Sequence, residues 1–258
     1  MKSNIANAWN ALIHNKKYLL LTILLEIIFL FGLVQLHFVF FTPTLEVTNK
    51  MMSAMSTTVS ALADSEVYQL ETRLQENTEF MTAYHELLKY LAYFLLSVLA
   101  IWMLFRGPVW WLSHKMIYKK MSFTNTWLKF SLLSIFWFAI LIASFFIYSI
   151  VQGTTFNTAL TIIMAAVCLA ILYFGQISFA LMPAQQTFKS TFVYGARYAR
   201  TILPAFAVNL IITGIAVLLP FTCIKTIPLL SVAIIILITI PGLAFARLHI
   251  IIATWQKH

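Results

Sequence analysis

The chain has 258 residues, of which 61% are hydrophobic and 10% charged, with a formal net charge of +9 and a mean hydropathy of +0.89. Soluble domains keep about a quarter of their residues charged, so this composition excludes an ordinary soluble domain. Apolar runs of about 18 residues or more recur, each long enough for a hydrocarbon core of about 30 Å. They are apolar all round, without the period-two alternation of a membrane β-barrel. The fold class expected is all-α: a polytopic helical membrane protein with six transmembrane helices.

The six spans are predicted near residues 18–41, 88–112, 128–150, 157–182, 201–222 and 228–250. The first is preceded by NIANAW, residues 4–9, and a related phrase recurs as SFTNTW (122–127) and TFKSTF (187–192). Each phrase stands just before an odd-numbered span. In each, an apolar residue and an aromatic four positions later share a helical face: Ile5 with Trp9, Phe123 with Trp127, Phe188 with Phe192. Asn4, Ser122 and Thr187 are expected as N-caps. The chain therefore reads as three hairpin repeats, each led by a short amphipathic interfacial helix whose rings, Trp9, Trp127 and Phe192, anchor at the headgroups beside basic residues. These helices either orient their hairpins or couple to a cytoplasmic partner. The first apolar run is too long for a signal peptide, so it is expected to stay as an anchor.

Within the first span, Glu26 is the only acid in any predicted span. Such a group is costly in lipid unless it is paired or reaches water. Arg247 lies at a similar depth, eight residues before Trp255, as Glu26 lies eight after Tyr18. A Glu26–Arg247 pair would tie the first span to the last. The alternatives are Arg247 snorkelling to the inner headgroups, Glu26 neutral and bonded to Asn209 or a backbone carbonyl, or a proton relay from Glu26 to His37.

The acids are lopsided. Seven of the eight fall in 42–88, with only Lys50 and Arg73 to offset them, giving that segment −5 and the rest of the chain +14. The bases cluster before odd-numbered spans and after the last, with Arg106 counted among those joining spans two and three. The positive-inside rule then puts both termini in the cytoplasm and 42–88 outside. The basic surplus suits anionic lipid headgroups. It forms no continuous stripe, so no nucleic acid partner is expected.

Residues 1–258 are expected as a single membrane domain, with 42–88 an acidic helical-hairpin insertion. Val67, Leu70, Leu74, Asn77, Met81, Tyr84 and Leu88 follow the 3,4 spacing of a heptad seam. No Gly or Pro falls between them and Gly107, so one unbroken helix into the second span is predicted. Met51, Met55, Val59 and Leu62 form a facing stripe, with Ala63-Asp64-Ser65 as the turn. Either the two stripes pack on each other, or the seam at 44–88 meets a protein partner or a second copy, with Asn77 setting register.

No catalytic motif, metal spacing or cofactor signature appears, and Cys168 and Cys223 form no CxxC. Neither an enzyme nor a cofactor is expected. The stretches FGQISFALMPAQQTFKSTFVYGARYARTILPAF (174–206) and IPGLAFARLHI (240–250) give the chain a resemblance to six-span YciC-like membrane proteins and to the membrane domain attached to some glycerophosphodiester phosphodiesterases. The resemblance omits 42–88. It implies the cell membrane of a prokaryote and no hydrolase activity, since the phosphodiesterase barrel is absent. The function expected is a non-enzymatic accessory or scaffold subunit contacting lipid and a partner protein. The alternative is a transporter or permease component coupled to a separate ATPase.

Overall fold

A computed structural model describes residues 2–61, 70–118, 121–152, 157–184, 187–224 and 234–255, and among these every regular element is helical. In chain order they are α1 (Lys2–His14), α2 (Lys16–Ala61), α3 (Leu70–Glu76), α4 (Thr78–Ile117), α5 (Phe123–Gln152), α6 (Thr158–Ala180), α7 (Thr187–Arg197), α8 (Ala199–Ile224) and α9 (Ile240–Trp255). A π-helical turn, Ile235–Thr239, leads into α9. Its widened pitch precedes Pro241, whose nitrogen has no hydrogen for an ordinary helical bond.

Among the described residues four helices, α2, α4, α5 and α6, are long and apolar enough to cross a membrane, and α7 with α8 makes a fifth if that bent pair is one span. Large apolar side chains stand exposed along all of them, among them Phe31, Leu96, Phe146, Ile162 and Ile211. That surface suits lipid and not water. Of the sixth expected span, 228–233 lies outside the described residues, and the rest is the π turn and the shorter α9.

The chain divides into two compact units, one of Met1–Phe29 with Trp102–His258, the other Leu30–Ile101. In the first unit, α5, α6, α8 and α9 enclose a core of Phe130, Leu133, Trp137, Tyr173, Ile177, Ile202, Phe206 and Ile251. A second cluster seats Ala8 and Leu12 of α1 on Ala244 and Leu248 of α9. Burying apolar surface drives little association within lipid, so close packing and polar bonds between helices carry more of the load. Here aromatic N–H and O–H groups reach backbone carbonyls or hydroxyls of neighbouring helices. Trp127 Nε1 donates to Met103 O at 2.9 Å, Trp137 Nε1 to Ser178 Oγ at 2.9 Å, and the Tyr173 hydroxyl to Gly195 O at 2.8 Å. The carboxyl end of α6 is held by three elements: His114 Nε2 and Trp255 Nε1 both meet Ala180 O, and Lys129 Nζ donates to Met182 O and Ala184 O at 3.0 Å each.

Two of the three recurring phrases form separate leading helices. α1 breaks at Asn15 and α7 at Tyr198, in each case eleven residues after the phrase begins, and the α7–α8 bend is 97°. The second phrase does not. SFTNTW runs straight into α5, whose corresponding residue, Leu133, is buried inside a continuous helix. Nothing between 127 and 133 interrupts the backbone ladder, so no separate leading helix precedes α5. The expected caps also shift. Asn4 lies inside the first turn of α1, and Thr187 opens α7 with its hydroxyl donating back to Ala184 O, while Ser122 directly precedes α5. α6 has a side-chain cap in Asn157, whose Oδ1 accepts from Leu160 N at 3.2 Å.

The second unit pairs the latter part of α2 with the first part of α4 through side chains. The ring of Phe40 meets that of Phe94 at 5.8 Å, and Val47, Ala54 and Ala83 are buried. The predicted unbroken helix is interrupted at Asn77, between α3 and α4. Asn77 Oδ1 accepts from Glu79 N and Phe80 N at 3.0 Å each, which caps α4, and Asn77 Nδ2 donates to Thr58 Oγ1 of α2 at 2.9 Å. Asn77→Ala removes both the cap and the cross-helix bond, an expected loss of about 1–2 kcal/mol. Hydrogen exchange checks this: the Glu79, Phe80 and Met81 amides should exchange faster in the variant. Unchanged rates would mean that Asn77 does not hold the start of α4.

Candidate functional site

The site builds on Glu26. It sits ten residues into α2, roughly 15 Å along the helix from Lys16, with only 1% of its surface exposed. A carboxylate there needs partners, and two guanidiniums supply them. Arg247 of α9 brings Nη1 to 2.7 Å from Glu26 Oε1, and Arg106 of α4 brings its Nη1 to 2.5 Å from the same oxygen. All three residues belong to the first unit.

Aromatic rings line the Arg106 side. Its guanidinium carbon lies 4.4 Å from the centroid of Phe29 and 5.2 Å from that of Trp102, while the two rings stand edge to face at 6.0 Å. Cation–π attraction spreads part of the Arg106 charge over these faces. Arg247 is 8% exposed. Several buried polar atoms at the cluster lack a hydrogen-bond partner: Arg106 Nε, Arg247 Nε and Nη2, and Thr22 Oγ1 one turn before Glu26. The cluster holds one carboxylate against two guanidiniums, a surplus of one positive charge in a low-dielectric setting.

The structure thus brings Glu26 and Arg247 together and adds Arg106. Arg106 stands eleven residues before the end of α4, inside the helix, and not in the basic connection expected between spans two and three. Its position within the predicted 88–112 span was the available signal. Asn209 does not bond Glu26: its Nδ2 donates to Ala246 O at 3.0 Å and its Oδ1 faces His249 Nδ1 at 3.2 Å. His37 is exposed, its ring against Phe41 at 4.9 Å. Among the described residues no group of three His, Cys, Asp or Glu is placed to hold a metal ion.

The recurring phrases place their residues in a common way. The position before each aromatic is small and buried: Ala8, Thr126 and Thr191. The apolar and aromatic positions face outward to differing degrees. Trp9 is 55% exposed with its edge toward Phe245, Phe192 is 47% exposed and meets Phe174, and Trp127 is half-buried through its bond to Met103 O. One face of the phrase packs on protein and the next is left for the surroundings.

The seam at 44–88 is rotated from its expected setting. Leu70, Leu74, Asn77 and Met81 are half-buried, but Tyr84 and Leu88 are exposed and Ala83 takes the inward place. On α2 the inward line is Val47, Met51, Ala54 and Thr58, while Met55 and Val59 point out. A small residue can pack where a large one cannot, and hydrophobicity alone hides that. Val67, Leu62 and the turn at 63–65 lie outside the described residues.

Fold and site together define an all-helical chain built for a membrane, with a buried three-residue charge cluster joining α2, α4 and α9. The chain matches no family model, no curated protein and no solved structure.

Proposed function

We propose that the protein is a non-enzymatic integral membrane subunit, accessory or scaffold in role, that spans the membrane as three helical hairpins and docks a partner protein through the acidic 42–88 segment outside. The single observation that supports the docking is the apolar line left exposed on α2 beyond Lys50. Met52 is 62% exposed, and Met55 and Val59 stand open beside it at helical spacing. The −5 charge of 42–88 opposes self-association through this face and favours a partner whose surface is basic around an apolar centre. In the first unit, Glu26 and the two guanidiniums engage one another, which favours an anchoring role over that of a transport pathway.

The test is native mass spectrometry of the gently solubilised full chain from its own membrane, as the natural sequence and as M52K/V59K. The two lysines lie on the open face, so the variant keeps its thermal midpoint. Polypeptides that accompany the natural chain and are lost from the variant support the reading. A chain that emerges with lipid alone removes it.

A further inference from the structure

The charge cluster is incomplete as it stands. Glu26 Oε1 accepts from Nη1 of both Arg106 and Arg247; Glu26 is the only acid before Glu46, and the sequence has no acid after Glu86. One positive charge of the three-residue cluster is therefore left without a carboxylate. The remaining donors are not scattered. Arg247 has Nη1 on Glu26, while Nε and Nη2 are both buried and without a partner. Nε–H and Nη2–H point the same way, along one edge of the planar guanidinium. That edge is the fork that takes two oxygens of one phosphate or carboxylate in parallel. Arg106 Nε is likewise buried and unpartnered, as is the hydroxyl of Thr22, which has no exposed surface. Unmet donors of this kind are costly in the interior, and leaving a charge uncompensated costs more.

We propose that the Nε/Nη2 edge of Arg247, backed by Arg106, binds a phosphate oxyanion, supplied either by the headgroup of an anionic phospholipid or as free inorganic phosphate. A monoanion balances the two guanidiniums and Glu26 to zero. Arg247 lies eight residues before Trp255, roughly 12 Å of helix, which sets the fork within reach of the leaflet on the Trp255 side. Basic sites between spanning helices on that side hold anionic headgroups in general. Binding at the fork would satisfy the second edge of Arg247 without disturbing its bond to Glu26.

The test uses the full chain purified in an uncharged detergent without phosphate. Phosphatidylglycerol, phosphatidylcholine, inorganic phosphate and chloride are titrated separately at equal ionic strength, reading the thermal midpoint and the mass of bound adducts. The expected result is a saturable rise with a one-to-one adduct for phosphatidylglycerol or for inorganic phosphate, and none for chloride. Phosphatidylglycerol acting alone, above phosphatidylcholine, assigns the lipid; inorganic phosphate acting alone assigns the soluble anion. R247K keeps the charge and one bond to Glu26 but loses the fork, so it should bind about tenfold to a hundredfold more weakly. No rise from either phosphate source, or an equal rise in R247K, overturns the proposal. Should R247K not survive purification, the one-to-one adduct on the natural chain decides: its absence overturns the proposal.

Discussion

Glu26→Gln should be among the most damaging single substitutions in the membrane-spanning part of the chain. It keeps the size and shape of the side chain and removes only its charge. What remains is two guanidiniums that both met the same carboxylate oxygen, now facing each other without an anion. Removing one partner of a buried ion pair costs about 3–5 kcal/mol, and here the loss uncovers two cations at once. In phosphate-free detergent the thermal midpoint should fall by on the order of 10 °C. Arg247→Met makes an instructive contrast. It leaves Glu26 with Arg106, a balanced pair, and it removes the unpartnered Nε and Nη2 along with the charge. Its loss should be clearly smaller than that of Glu26→Gln. A melting series in which Arg247→Met is the worse of the two would mean that the cluster is not governed by its charge surplus.

Gly107→Val should come close in effect, by a different route. A Cβ at Gly107 would collide with the Trp127 indole and come within 3.2 Å of Phe130 Cδ1. Neither neighbour has a simple way to yield. Phe130 is fully buried, and the indole is fixed by its bond to Met103 O. Overpacking costs about 1–3 kcal/mol, and swinging Trp127 aside forfeits a further hydrogen bond of about 1 kcal/mol. Gly214 is the control, since a Cβ there meets nothing within 4 Å. Gly214→Ala should leave the melt unchanged or raise it slightly, because alanine favours the helix by about 0.5–1 kcal/mol. Tryptophan fluorescence should shift in Gly107→Val and stay constant in Gly214→Ala. Equal melts for the two variants would show that the α4–α5 contact is loose.

These contrasts mark what the sequence made legible. Depth along a helix is simple arithmetic, so Glu26 and Arg247 could be matched from their distances to Tyr18 and Trp255. Arg106 could not be matched the same way, because it stands close to a group of bases that already had a use in setting orientation. The recurring phrase was visible as three lines of text, but its grammar lay in the small residue and not in the ring. Ala8, Thr126 and Thr191 are buried in all three copies, while of the rings that catch the eye Trp9 and Phe192 stand exposed and only Trp127 turns inward, to Met103 O. The same blindness rotated the 44–88 seam, where Ala83 and not Tyr84 turns inward. Breaks in the helix followed local backbone chemistry that hydropathy does not encode. Asn77 interrupts a run with good heptad spacing because its amide caps the next helix, and SFTNTW fails to form a separate helix because nothing after it stops the ladder.

The position of α9 has a consequence for how the protein is made. This helix supplies Arg247 to Glu26, Trp255 to the end of α6, and the surface on which α1 rests. Its partners leave the ribosome long before it does: Glu26 precedes Arg247 by 221 residues and Ala180 precedes Trp255 by 75. Glu26 has no partner in the cluster until Arg106 follows 80 residues later, and from then until Arg247 is made Arg106 is its only one. Contacts so distant in sequence form late and slowly. The first helix made is thus among the last to find its place, and the interval before α9 arrives is when a chaperone or quality-control protease has most to act on.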